Sequence, residues 1–447
     1  MAGRVLTAAL AASALLAPVF GADSLKGSRG SKCPKDSPCG GLYADCGVGA
    51  FCLGGCDVTI SHSKEACVPN PKCKSGTYKM GSLDDVQSID KYLGDSSKIN
   101  WQGQGKPVLY EDSTLLTMAE GTVGTLMAST HYVWYGKICA KMTTSQGKGV
   151  VTAFIMMSDV KDEIDFEWVG TDIANVQTNY YSQGVTNYKN GRNLTIPNGN
   201  SVEKLHEYCM DWKEDTLTWS IDGNDLRTLN RKDTWNATAG RFDYPQTPSR
   251  VMLSLWPAGL PSNEKGTIDW AGGVIDWNSP YMQNGYYYAR VQQVTIECYG
   301  PPSGAKKSGD KSYIYTDDKN PTNNTIEITD KEVILGSLFA TGEDPKFGAV
   351  TASGAPQPTR SAATVPGGNP GGGNRAEDQS SAASAGPSGT AAPSGSSTPN
   401  NGAGGQGFNQ NTGGNGGSAG TALQPGLGKV GGGAFAIVVA VLGLMVL

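Results

Sequence analysis

Between residues 75 and 300 the chain is written in short runs of Val, Ile, Tyr, Trp and Thr broken by Gly, Asn and Asp. Leu217-Thr218-Trp219-Ser220-Ile221 alternates apolar and polar residues with period two and ends at Asp222-Gly223; Asn190-Gly191 is a second dipeptide of hairpin type. Val150–Met157 is nearly continuous in apolar residues, as expected of a strand buried on both faces. No long stretch of helical period competes, although Leu83–Leu93 has room for a helical turn or two. The pattern predicts an all-β fold, an antiparallel β-sandwich with one sheet curved into a cleft, and about 225 residues suffice for one substantial core.

One strand departs from ordinary core patterning. In Asp162-Glu163-Ile164-Asp165-Phe166-Glu167 the acidic and apolar residues alternate, so Glu163, Asp165 and Glu167 share one face and Ile164 and Phe166 the other. Carboxylates crowded on one face repel each other and contribute nothing to folding. An exposed acidic edge strand would explain them, but Phe166 and Trp168 do not suit a strand kept outside. Glu residues at i and i+4 have Cα atoms about 13 Å apart. Their long side chains, leaning together, can approach the roughly 5–5.5 Å that a retaining glycosidase needs. Asp165, shorter and between them, reaches a neighbouring carboxyl, and its negative charge is expected to raise the pKa of whichever Glu stays protonated.

The acidic strand resembles the catalytic strand of glycoside hydrolase family 16, and the resemblance extends beyond it. Tyr135-Gly136-Lys137, Gly149–Phe154, His206–Trp212 and Leu217–Gly223 look like its neighbouring strands, and Leu255-Trp256-Pro257 and Gly266–Gly273 complete the pattern, with Trp256, Trp270 and Trp277 in loops or at strand ends. The likeness is strong over residues 75–300, loose over 303–345, and closest to the fungal, lipid-anchored Crh-type cell-wall transglycosylases. It implies a jelly roll in which Glu163 is the nucleophile, Asp165 orients it and Glu167 is the acid/base; strand geometry alone permits the reverse order of the two Glu. It also implies chitin as donor and β-1,3/1,6-glucan or chitin as acceptor, with no metal and no cofactor. A plain retaining hydrolase on the same fold, and a non-catalytic glycan-binding wall protein, are the alternatives. Gln177 and Asn179, a strand beyond Glu167, together with Tyr180, Trp256, Trp270 and Trp277, are the expected sugar-binding residues.

The chain ends point to secretion. Arg4 followed by apolar Val5–Phe20 reads as a signal peptide spanning residues 1–22. The uncharged apolar tail, residues 434–447, is shorter than the about 20 residues of a membrane-spanning helix and follows small residues, which suits a GPI-anchor signal. Asn415, Gly416, Gly417 and Ser418 are the favoured attachment points. The protein is then expected on the outer face of the plasma membrane and in the cell wall. From Thr351 to Gly428 the chain is rich in Gly, Ser, Ala, Pro and Asn and is expected to be a disordered stalk, continuing to residue 433. Residues 303–350 form a mixed extension with a possible strand at Thr325–Ile328.

Ten cysteines, Cys33, Cys39, Cys46, Cys52, Cys56, Cys67, Cys73, Cys139, Cys209 and Cys298, fit an oxidising compartment. Seven precede residue 74; if all pair, parity requires at least one bridge from this segment to the main domain. Residues 23–74 are thus expected to be docked as a cap. Cys39–Gly47, with Phe51-Cys52, resembles a hevein-type chitin-binding module, in which Tyr43 and Phe51 would be the surviving aromatic platforms. Gly40 replaces a cysteine of that pattern, Gly41 its serine and Asp45 an aromatic, so a purely structural, disulfide-braced cap is the other reading. Asn193, Asn236 and Asn323 head glycosylation sequons. A formal net charge of −5 without a basic block gives no surface for nucleic acid.

Overall fold

In the computed structural model the described residues are 25–197, 199–350 and 358–366. The signal segment, the favoured anchor-attachment residues, the apolar tail and most of the expected stalk lie outside them. Two eight-stranded sheets pack face to face. The front sheet runs, in spatial order, Arg192–Thr195, Asn175–Tyr181, Glu163–Val169, Val150–Ser158, Ser249–Pro257, Thr125–Val133, Trp101–Gln104 and Val86–Ser88. The back sheet contains Gly136–Met142, His206–Trp212, Thr216–Ile221 and the long Tyr286–Cys298 strand. Pairing within the two sheets is antiparallel, except between Val86–Ser88 and Trp101–Gln104. This is the expected β-sandwich. The strand at Val86–Ser88 replaces the helical turns allowed for Leu83–Leu93; pairing to a sheet edge outweighs a weak local helical pattern.

The core lies between the sheets. Ile164, Phe166 and Trp168 point into it, with Phe166 stacked on Phe154 at 6.1 Å and Trp168 edge-on to Tyr208 at 4.5 Å. Burying this alternate set fixes the register, because a slip of one residue would drive the acidic set into the core.

Three disulfides, Cys33–Cys46, Cys39–Cys52 and Cys56–Cys67, brace the cap internally. Cys73–Cys298 ties it to the last back-sheet strand, and Cys139–Cys209 links neighbouring back-sheet strands. The cap shares a small core with the extension, in which Phe51, Leu53, Tyr92, Leu335 and Ala340 are buried. Strand Ile326–Thr329 lies where one was expected, paired with Ser312–Tyr315.

The start of the stalk needs correction. Residues 358–366 lie against the body: Val48 N donates to Ala363 O at 2.9 Å, Ala50 N to Thr364 O at 2.9 Å, and Gln104 Nε2 to Pro366 O at 3.1 Å. The Arg360 guanidinium sits 4.1 Å over the Phe347 ring. A segment too poor in apolar residues for a core can still satisfy a neighbour's backbone donors.

Candidate active site

The carboxylate strand is held at its start by the first acid of its own motif. Asp162 is fully buried and accepts from Gln183 N, Gln246 N, Thr247 N and Thr247 Oγ1 at 2.7–3.0 Å. Those donors come from two loops of the sandwich, so Asp162 pins the turn from which Glu163 departs. Sequence reasoning gave Asp162 no role, although its position on the core side of the alternation was the available signal.

Glu163, Asp165 and Glu167 all lie on the outer face of the front sheet, opposite Met157, Ile155 and Ala153 on one side and Tyr181, Asn179 and Gln177 on the other. The two Glu are half-buried and Asp165 is buried. Burial pushes all three carboxyl groups up, to about 7 for Glu163 and about 8 for Glu167. Two influences separate them. A hydrogen bond from Asp165 favours ionised Glu163, whereas Glu167 has no such relief and also feels the charge of Glu163. Asp165 is held far above the carboxylate range, first by burial and then by the charges of Glu163 and Glu167. No donor among the described residues reaches its Oδ1.

Asp165 is therefore held in its protonated form and bonds towards Glu163. This corrects the expectation that a negative Asp165 raises its neighbour: the charge acting on Glu167 is that of Glu163. Behind Asp165, its backbone carbonyl accepts from Trp219 Nε1 at 3.1 Å, and the Arg227 guanidinium lies 4.3 Å over the Trp219 ring.

The expected sugar-binding residues divide. Gln177 and Asn179 share the face of the acids. Gln177 Oε1 accepts from Trp270 Nε1 at 2.8 Å, which sets the half-buried Trp270 ring beside Glu167. Trp270, expected in a loop or at a strand end, closes a short helix, Lys265–Trp270. Tyr180 points the other way: it pairs with Ile164, faces the core and carries the Arg227 guanidinium at 5.7 Å. The aromatic on the acid face is Tyr181, opposite Glu163, whose hydroxyl accepts from Asn179 Nδ2 at 2.6 Å. Period two from Gln177 and Asn179 leads to Tyr181.

Trp256 is 1% exposed and lies beneath Trp270, ring centroids 6.1 Å apart, so it supports the wall and offers no face to a sugar. Trp277 packs on Tyr287 of the back sheet, ring centroids 6.1 Å apart, against the core.

Other candidates are corrected by burial. Phe51, 3% exposed, is inside the cap and cannot be a platform; Tyr43 is half-buried on the cap surface. An added Cβ at Gly40 would come within 2.4 Å of the Ile60 side chain, so the hevein-like cysteine would not fit there without repacking. Asn323 is 5% exposed and unsuited to glycosylation, whereas Asn193 is exposed on an edge strand. Asn236, half-buried, donates to Asp243 at 2.8 Å.

A two-sheet β-sandwich with three face-sharing carboxyl groups, all raised by burial, has the architecture and acid–base equipment of a retaining glycosidase. Residues 95–272 match the glycosyl hydrolases family 16. Crh-like protein 2 of Aspergillus fumigatus is 50% identical over 374 residues, covering 83% of this chain and 84% of the relative. Congo red hypersensitive protein 2 of Saccharomyces cerevisiae is 44% identical over 325 residues, 72% of this chain and 69% of the relative. A solved Crh5 transglycosylase in complex with NAG is 32% identical, with a TM-score of 0.48, covering 59% of this chain and 96% of that one. The chain belongs to the Crh-like proteins of glycosyl hydrolase family 16.

Proposed function

We propose that this protein is a cell-wall transglycosylase that cleaves chitin with retention and transfers it to β-glucan or chitin, cross-linking the wall. The observation that carries the reading is the geometry of the acidic row: Glu163, Asp165 and Glu167 share the outer face of one strand of the front sheet, beside Gln177, Asn179 and Tyr181 of the next.

In the first step Glu163 attacks the anomeric carbon, and Glu167 gives its proton to the departing glycosidic oxygen as the C–O bond breaks. A covalent glycosyl-enzyme results. In the second step Glu167, now ionised, takes the proton of an acceptor hydroxyl, whose oxygen displaces Glu163 from the anomeric carbon. Asp165 holds Glu163 and spreads its charge when it leaves. Gln177, Asn179, Tyr181 and Trp270 line the sugar path. Secretion and a GPI anchor, argued from the apolar segments at the two ends, would hold the enzyme at the outer membrane face within its polysaccharides.

The test incubates the purified protein with labelled chito-oligosaccharide, with and without a laminarin-type acceptor. Labelled hybrid products are expected. Shortened oligomers alone would make it a hydrolase, and an unchanged substrate would make it a binding protein.

A further inference from the structure

The three glycosylation sequons differ in how free their Asn side chains are. Asn323 is buried, and the Asn236 amide is engaged at both ends: Nδ2 donates to Asp243, and Oδ1 accepts from Thr238 N at 3.1 Å and Ala239 N at 3.0 Å. Asn193 is exposed, and among the described residues its amide has no hydrogen-bond partner. Asn193-Leu194-Thr195 is therefore the sequon that carries a glycan without disturbing the fold.

Register places this sequon on the face of the acids. Arg192–Thr195 is the edge strand of the front sheet; Asn193 pairs with Gln177, and Gln177 pairs with Glu167. Residues directly opposite one another point to the same face of a sheet, so Asn193 stands on the outer face in line with Glu167. Leu194 packs against the core, and Thr195 returns to the outer face, where its hydroxyl donates to Asn175 Oδ1 at 3.0 Å. Two inter-strand steps of about 4.8 Å set the edge strand about 10 Å from the carboxylate strand, a span that about two linked sugar units cover. Gln177, Asn179 and Tyr181, all half-buried, line the face between.

We propose that a glycan on Asn193 stands at the exit of the substrate groove and limits the length of sugar chain accepted on that side. The proposal rests on the glycosidase reading above. A substrate passing between Glu163 and Glu167, which lie along one strand, crosses the strands, and on this side it leaves the sheet over Arg192–Thr195. An N-linked glycan is bulky and hydrated. A long substrate confines it in passing, which costs conformational entropy, whereas a short one that ends before the edge strand does not. Asn193 lies at one end of the row, so only one of the two reactants, donor or acceptor, meets its glycan.

The test compares the secreted full protein with three altered forms: Asn193→Gln, Thr195→Ala, and the folded wild type trimmed by an endoglycosidase that leaves one sugar on Asn. Thr195→Ala keeps Asn193 and removes only its glycan. Peptide mass mapping of the wild type should find the glycan on Asn193; an unmodified Asn193 would overturn the proposal. Transfer is then measured with chito-oligosaccharide donors of two to six units at fixed laminarin-type acceptor, and with acceptors of two to six units at fixed donor. All three altered forms should gain about threefold in kcat/KM, through KM, for the longest oligomers of one reactant, with the shortest oligomers and the other reactant unaffected. No change, an equal change at every length, a change for both reactants, a loss for long oligomers, or a gain in Asn193→Gln alone would overturn it. If the protein transfers nothing, the glycosidase reading fails instead, and the affinity for chitohexaose, read by tryptophan fluorescence, still decides the role of the glycan. Tighter binding after trimming supports it, and unchanged or weaker binding refutes it.

Discussion

Asp165 is where the electrostatic account is most exposed to refutation. Its proton bonds towards Glu163 and favours the ionised nucleophile. Asp165→Ala removes that bond and leaves Glu163 with burial alone. A hydrogen bond to a charged group contributes about 1.5–3 kcal/mol. At about 1.4 kcal/mol per pKa unit, the Glu163 pKa should rise by about one to two units. The acidic limb of kcat/KM belongs to ionisation of Glu163 and should move up by the same amount, cutting activity below the new pKa about tenfold per unit. Asp165→Asn keeps an N–H donor at the same place and should move the limb much less. The assay is initial transfer rate from about pH 4 to about pH 10 for both variants, with near-UV circular dichroism to show that each is folded. A limb displaced downwards would refute the reasoning: it would mean that Asp165 is ionised at rest and that its removal relieves repulsion. Identical profiles for Ala and Asn would remove the hydrogen bond from the account.

Glu167→Gln should stabilise the folded protein, and more at pH 8 than at pH 4.5. The folded-state pKa of Glu167 is raised, to about 8, so the ionisation cost is absent at low pH and grows as pH rises; equal shifts in Tm at both pH values would contradict this. Replacing Cys73 and Cys298 by Ser opens a link with a sequence separation of 225 residues and should cost about 3–5 kcal/mol, read by denaturant unfolding; an unchanged midpoint would show that packing alone holds the cap. Asn193→Gln should remove glycan mass from the secreted protein and Asn323→Gln none, because Asn323 is buried; a mass loss at Asn323 on electrophoresis would contradict its burial. Truncation before Ala434 should release active enzyme into the medium, and retention at the surface would point to attachment through the wall or the cap.

The site was legible where alternation alone decides orientation. The acid set and the Ile164, Phe166 set are forced apart by the pleat, and the core takes the apolar one. The same rule selects Tyr181 over Tyr180. It was obscured there because both residues of the Tyr-Tyr pair are aromatic, and only parity counted from Glu167 separates them. What was not legible depended on contacts distant in sequence. The burial of Trp256 requires Trp270 above it, and that of Asn323 requires its place between loops beside Gln246. The docking of residues 358–366 is backbone hydrogen bonding, to which composition is blind. The neutral state of Asp165 follows from how deeply the strand sits, which alternation does not reveal. Cysteine parity required a bridge from cap to main domain if all ten paired, and Cys73–Cys298 is such a bridge.

The central claim, a covalent sugar on Glu163, is tested most directly by mass spectrometry of the enzyme during turnover. In Glu167→Gln the second step lacks its base, while a chito-oligosaccharyl fluoride, with its good leaving group, bypasses the missing acid in the first. Quenched and digested, this variant should carry the glycosyl mass on the peptide containing Glu163. Cleavage of the fluoride with no adduct, or with the adduct on Glu167 or elsewhere, would contradict the account.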